Sequence, residues 1–113
     1  MSTIESTVLA PDDLASHLRY GRQILLLIDN SAGSATGIVV VAAELCEAQH
    51  ITFMARQARG LVCLGLTRER CDHLHLPFMV EGDGAAAPFT LSIEAAEGID
   101  TGISAADRAH TVR

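Results

Sequence analysis

The feature that most constrains the fold of this chain is a set of three short apolar runs, at residues 24–28, 38–43 and 61–66. None of them alternates with polar residues, and each has the length of a single strand. A continuous apolar run of this length is typical of a strand that is buried on both faces. A fourth strand is predicted over residues 89–94, where apolar and polar residues alternate and leave one face to the solvent.

Helical patterns lie between the strands. Pro11 suits the first position of a helix, and Gly21 suits its end. Residues 48–58 place apolar side chains at helical spacing, and Gly60 follows as a stop signal. Residues 29–37 are small and polar and are therefore predicted to form a loop.

Two further helices are marked by capping residues. Thr67 is predicted to cap a short helix over residues 68–74. Ser104, with Asp107 three residues later, forms a capping box for a last helix. Helices that alternate with short strands predict an α+β (α/β-like) fold, in which helices cover a mixed β-sheet.

Length and charge limit the classes of function. At 113 residues the chain makes one domain, predicted over residues 9–113, after a flexible N-terminus at 1–8 and with a loop at 81–88. Its net charge is −6, which argues against a nucleic-acid partner and against an anionic membrane surface. A phosphorylated metabolite remains compatible, because one arginine can bind its phosphate. The three cysteines show no disulfide spacing and no signal peptide is visible, so a cytoplasmic location is expected.

Two segments carry a more specific pattern. Residues 60–80 read GLVCLGLTRERCDHLHLPFMV, and residues 98–112 read GIDTGISAADRAHTV. Together they resemble the 3,4-dihydroxy-2-butanone 4-phosphate synthase family, a lyase family of riboflavin biosynthesis. The resemblance covers about the first half of a typical family domain, so it implies a truncated, partial version of that fold. It also implies the family reaction, in which D-ribulose 5-phosphate gives 3,4-dihydroxy-2-butanone 4-phosphate and formate.

The resemblance fails at the acidic segment that binds magnesium in the family. Here residues 29–38 read DNSAGSATGI, in which Asp29 and Gly37 keep the family residue. Ser34 stands where the family has a metal-binding Glu, and the family's metal-binding His falls beyond residue 113. The resemblance therefore implies Asp29 and Cys63 as catalytic residues, without a metal site or a cofactor for this chain. The alternative for Cys63 is that of a small, buried apolar residue.

The family's substrate phosphate is held by residues that this chain retains. The resemblance assigns this role to Arg108 and Thr111, with Ser104 and Asp107 in the same segment. It also implies Thr67, next to the site, as a substrate-binding residue. A guanidinium, hydroxyls and amides at a helix start are suitable donors for a phosphate. The alternative is that Thr67 only caps its helix and that Asp107 and Arg108 only cap and solvate the last one.

Three functions remain open from the sequence. The first is the family reaction itself. The second is a catalytically inactive pseudoenzyme that acts as a sugar-phosphate-binding or partner-subunit module. The third is a different small enzyme that uses Cys63 or His110. Because the family works as a homodimer, we expect a homodimer or a complex with a second chain.

Overall fold

The computed structural model describes residues 8–80 and 88–113 of the chain. In order these form α1 (Pro11–Arg19), β1 (Ile24–Asn30), β2 (Ser34–Val40), a 3₁₀ turn (Ala43–Leu45), α2 (Ala48–Phe53), a π-helix (Met54–Ala58), α3 (Arg68–His73) and α4 (Ala105–Val112). The predicted α+β class is confirmed. The predicted flexible N-terminus and the predicted loop at 81–88 lie outside the described residues, except for residues 8 and 88. No helix in the described ranges is long and apolar enough to cross a membrane.

Helix α1 forms for the reasons that the sequence gives. Pro11 occupies the first turn, and the acidic Asp12 and Asp13 follow it near the positive end of the helix dipole. Tyr20 caps the C-terminus, and Gly21 then takes a left-handed φ of 73°. Both predicted boundaries of this helix are therefore confirmed.

The sheet is a hairpin of β1 and β2. The strands pair antiparallel, from Ile24 opposite Val40 to Asn30 opposite Ser34. Residues 31–33 make the turn, and Gly33 supplies the left-handed φ of 77° that a three-residue hairpin turn needs. The prediction of a loop over residues 29–37 is wrong, because the small residues of this segment fit the ladder opposite β1.

The other predicted strands do not form in the described residues. Residues 61–66 have no ladder, and residues 89–94 make one antiparallel bridge, between Phe78 and Thr90. A strand needs a neighbour that satisfies its backbone over several residues. In the described chain, residues 89–94 bond through their backbone to residues 77–79 at Phe89 and Leu91 alone, and residues 61–66 have no ladder partner. The sheet of the described residues is therefore an antiparallel pair, without the parallel pairing of a mixed sheet.

The helix predicted over residues 48–58 is divided in two. After Phe53 the hydrogen bonding widens into the π-helix, which is capped at its C-terminus by Arg59 with a left-handed φ of 53°. The stop therefore lies one residue before the predicted Gly60. Helix α3 ends at His73, one residue before its predicted end.

The core is small and lies between α2 and α4. Cys46, Ile51 and Ala109 are buried together, and Val41, Met54, Val62, Ala105 and Val112 pack against them. The prediction that residues 24–28 are buried on both faces is wrong. Leu27, for example, is 70% exposed. The apolar hairpin thus has little of the described chain to cover it.

Candidate functional site

The start of α4 orders the loop that precedes it. The Ser104 hydroxyl accepts a hydrogen bond of 3.0 Å from the Asp107 backbone N–H, as expected of an N-cap. The Asp107 carboxylate completes no capping box, because its Oδ2 accepts from the backbone N–H groups of Gly102, at 3.1 Å, and Asp100, at 3.3 Å. Asp107 therefore fastens the loop at 100–102 to the helix.

The later part of α4 holds the segment at 95–97. The Thr111 hydroxyl accepts from the Ala95 backbone N–H at 3.0 Å and donates to the Asp107 carbonyl, also at 3.0 Å. The His110 Nε2 lies 3.0 Å from the Glu97 carbonyl oxygen, which can only accept, so Nε2 carries the hydrogen. Sequence reasoning missed this role of His110, since no local pattern shows a bond across 13 residues.

Arg108 is the predicted phosphate residue whose side chain remains unengaged. Its backbone N–H donates to the Ser104 carbonyl within the helix, at 2.9 Å. Arg108 is half-buried as a residue, and its guanidinium has no hydrogen-bond or ion-pair partner in the part of the chain that the structure describes. A cation in this state, one turn from the N-terminus of α4, is suited to bind an anion.

Thr67 lies at the start of α3 and caps it. Its hydroxyl accepts from the Arg70 backbone N–H at 3.1 Å, which confirms the predicted cap. Whether Thr67 also meets a substrate stays a prediction that the structure leaves open.

The structure separates the two predicted catalytic residues. Cys63 is exposed, which contradicts its alternative as a buried apolar residue, and lines a groove between β2 and residues 60–65. Cys63 belongs to the segment 61–66, which was predicted to form a buried strand. This segment has no ladder partner in the described chain, and Cys63 is therefore left exposed. Asp29 lies on β1 opposite Ala35 and does not line this groove.

The hairpin does not offer the donors that magnesium requires. Magnesium favours several hard oxygen ligands, with carboxylates among them. Asp29 is the single acid in residues 24–40, and Ser34 contributes only a neutral hydroxyl. Across residues 8–80 and 88–113, no three His, Cys, Asp or Glu side chains come close enough to hold a metal ion. The residues present therefore do not fit the family's metal site.

Comparisons with known proteins agree with one another. Residues 12–113 match the sequence model of the family described as 3,4-dihydroxy-2-butanone 4-phosphate synthase. The Pseudomonas aeruginosa protein of that name is 49% identical over 104 residues, which cover 90% of this chain and 28% of the relative. The Hamiltonella defensa protein of the same name is 41% identical over 99 residues, which cover 86% of this chain and 45% of the relative.

The fold has a similar solved structure. It is the crystal structure of RibBX, a two domain 3,4-dihydroxy-2-butanone 4-phosphate synthase from A. baumannii, with a TM-score of 0.75 and 51% sequence identity. The match covers 89% of this chain and 30% of that one. The chain thus spans less than half the length of each of these relatives.

Proposed function

The chain belongs to the 3,4-dihydroxy-2-butanone 4-phosphate synthase family, and from that premise we propose that it binds the phosphate of a sugar phosphate without catalysing the family reaction by itself. The observation that supports this most is the unengaged guanidinium of the half-buried residue Arg108. A charge in that position gains from a partner of opposite sign, and a phosphate offers the geometry that a guanidinium prefers.

The neighbours of Arg108 act as supports in this proposal. Ser104 and Asp107 fix the first turn of α4, and Thr111 ties the same helix to the chain before it. These bonds fix the helix from which the Arg108 side chain projects, so that the backbone of the site needs no rearrangement when an anion binds. The predicted phosphate residues thereby divide into one ligand and several positioning groups.

Thermal unfolding in phosphate tests this proposal. With a dissociation constant of about 1 mM, 10 mM inorganic phosphate stabilises a fold by about 1.4 kcal/mol. For a domain of this size that is a rise in Tm of roughly 5 °C. Arg108→Ala should abolish the rise, whereas Arg56→Ala, on an exposed face of the π-helix, should retain it. Equal rises for wild type and Arg108→Ala would exclude Arg108 as the anion ligand.

An activity assay tests the absence of catalysis. We expect no steady formate release when the chain is incubated with ribulose 5-phosphate and magnesium. The reason is the donor set at residues 29–38, where one carboxylate remains. Ribulose 5-phosphate should still raise Tm, with or without magnesium. Sustained formate release would restore the family reaction as the function of this chain.

A second function, that of a partner subunit, is supported by the exposed hairpin. Leu25, Leu27 and Ile38 are each at least 45% exposed, which is unusual for apolar residues so close together. Such a surface is normally covered by another polypeptide. We expect light scattering at micromolar concentration to show a homodimer or a complex with a second chain. A well-folded monomer would contradict this role.

A further inference from the structure

A groove of about 530 Å³ runs between β2 and residues 60–65. Every residue from 37 to 41 lines it, and so does every residue from 60 to 65. Successive side chains of a strand point to opposite faces of the sheet. Consecutive lining residues therefore mean that the groove lies along the edge of the strand, where its backbone is accessible.

That edge has unpaired backbone groups. Strand β2 pairs only with β1 in the described chain, so the outer side of residues 37–40 offers N–H and C=O groups to a further strand. The facing residues 61–66 also lack a ladder partner. A strand placed in the groove would have a backbone on each side of it. This is the arrangement in which an added strand gains its main-chain hydrogen bonds.

The chemistry of the groove suits an apolar strand better than a charged ligand. Residues 37–41 and 60–65 carry no charge, and Ile51, Met54 and Val112 complete the lining with apolar side chains. Among the lining residues only the thiols of Cys46 and Cys63 can ionise. A phosphate would find no cation here, so the groove is distinct from the Arg108 site.

The exposed surface of the chain is large enough for a polypeptide partner. The chain exposes 9221 Å². A compact monomer of its mass, 12.0 kDa, exposes about 6,000 Å². The difference, roughly 3,000 Å², exceeds the ~800 Å² that one partner contributes to a standard interface.

We propose that the groove accepts an apolar, uncharged β-strand of a second polypeptide, one that carries the part of the family domain lying outside the region matched by this chain. The relatives have a large share of sequence outside the match, because the match covers only 28–45% of their length. The inference rests on the partner-subunit function and identifies its surface and its partner. It does not depend on phosphate binding at Arg108.

Cys63 makes the proposal measurable. Its thiol is exposed and lines the groove, whereas Cys71 is buried, lies outside the groove and serves as an internal control. The full chain is co-expressed with the part of the Hamiltonella defensa relative that lies outside its matched region. We expect a 1:1 complex in which maleimide labels Cys63 at least tenfold more slowly than in the chain alone.

Matched variants locate the strand. Ile38 lines the groove and is 45% exposed, while Leu91 lies outside it and is 49% exposed. Ile38→Lys should lower the yield of the complex at least tenfold, and Leu91→Lys should leave it unchanged. Cys63→Arg blocks the groove from an exposed position without altering β2, and its yield of complex should fall equally. Circular dichroism identifies any variant that does not fold.

The outcomes separate this proposal from the functions above. If a complex forms but the rate of Cys63 labelling is unchanged, the groove is not the binding surface, although the partner-subunit function is retained. A homodimer with protected Cys63 shows that a second copy fills the groove and overturns the stated partner. A monomer with free Cys63 overturns both. The phosphate-dependent rise in Tm is measured separately, so its presence or absence decides only the Arg108 site.

Discussion

Gly98 is the residue whose substitution most directly tests how α4 holds the preceding loop. It has a left-handed φ of 79°, and a Cβ built on it would lie 2.7 Å from the Nε2 atom of His110. That ring is held in place by its hydrogen bond to the Glu97 carbonyl. Gly98→Ala therefore imposes backbone strain and also displaces the histidine.

Gly33 provides a matched control for the strain alone. Its φ is 77°, almost the same, but a Cβ there would meet nothing within 4 Å. An alanine in the left-handed region costs about 1–2 kcal/mol. Alanine also makes the unfolded chain less flexible than glycine does, and this offsets roughly 0.4–1 kcal/mol of the cost. We therefore expect Gly33→Ala to cost about 1 kcal/mol. Gly98→Ala should cost about 2 kcal/mol, because it also loses a hydrogen bond worth about 1 kcal/mol.

Urea unfolding followed by circular dichroism measures both costs. In a thermal unfolding experiment, a difference of about 1 kcal/mol in the free energy of unfolding of the two variants corresponds to roughly 4 °C in Tm. In the background of His110→Ala the obstacle is gone, so Gly98→Ala should then cost no more than Gly33→Ala. If Gly98→Ala and Gly33→Ala cost the same in the wild-type background, His110 does not fix the loop and the reasoning fails.

Three other substitutions have expected outcomes. Gly37→Ala puts a Cβ 3.1 Å from Cδ1 of Leu25, an exposed side chain that is free to turn away. Because glycine weakens a strand interior, we expect urea denaturation to show that the free energy of unfolding rises by about 0.5 kcal/mol. Burial raises the pKa of the Cys46 thiol, although Arg113 acts in the opposite direction. The stability that depends on the neutral thiol is complete below about pH 8.5, the usual thiol pKa, and is lost as pH rises further. The free energy of unfolding of the wild type should be lower at pH 9.5 than at pH 7, and that of Cys46→Ala should not fall in this way. Equal decreases in the two proteins would refute this role of the Cys46 thiol. Thr67→Ala should lose about 1 kcal/mol through its cap, and Thr67→Ser should not.

Helix ends could be predicted from the sequence because they depend on local chemistry. Pro11, Thr67 and Ser104 each cap or open a helix with groups a few residues away, and all of them do so in the structure. The strands could not be predicted so well. The runs at 24–28 and 61–66 have the composition of buried strands, but burial depends on neighbours that are distant in sequence.

The candidate site shows the same difference between features set by local sequence and features set by distant contacts. The sequence picked out Arg108 through a specific motif, and the structure finds its guanidinium unengaged among the described residues. It could not show that Asp107 and Thr111 would be occupied by bonds to residues 95–102. It also gave His110 a possible catalytic role, whereas the ring bonds to the Glu97 carbonyl. Contacts of this kind arise only when the loop folds back on the helix.

The neutral composition of residues 30–38 suits the hairpin. Positions 30 and 34 are both acidic in the family pattern, and here they are directly opposite each other in the ladder. Two carboxylates in that position would repel each other and destabilise the pair. The small neutral residues of this chain remove the repulsion, and Gly33 allows the tight turn. The neutral residues that leave this segment without magnesium donors are thus compatible with a paired β2, whose outer edge forms one side of the groove.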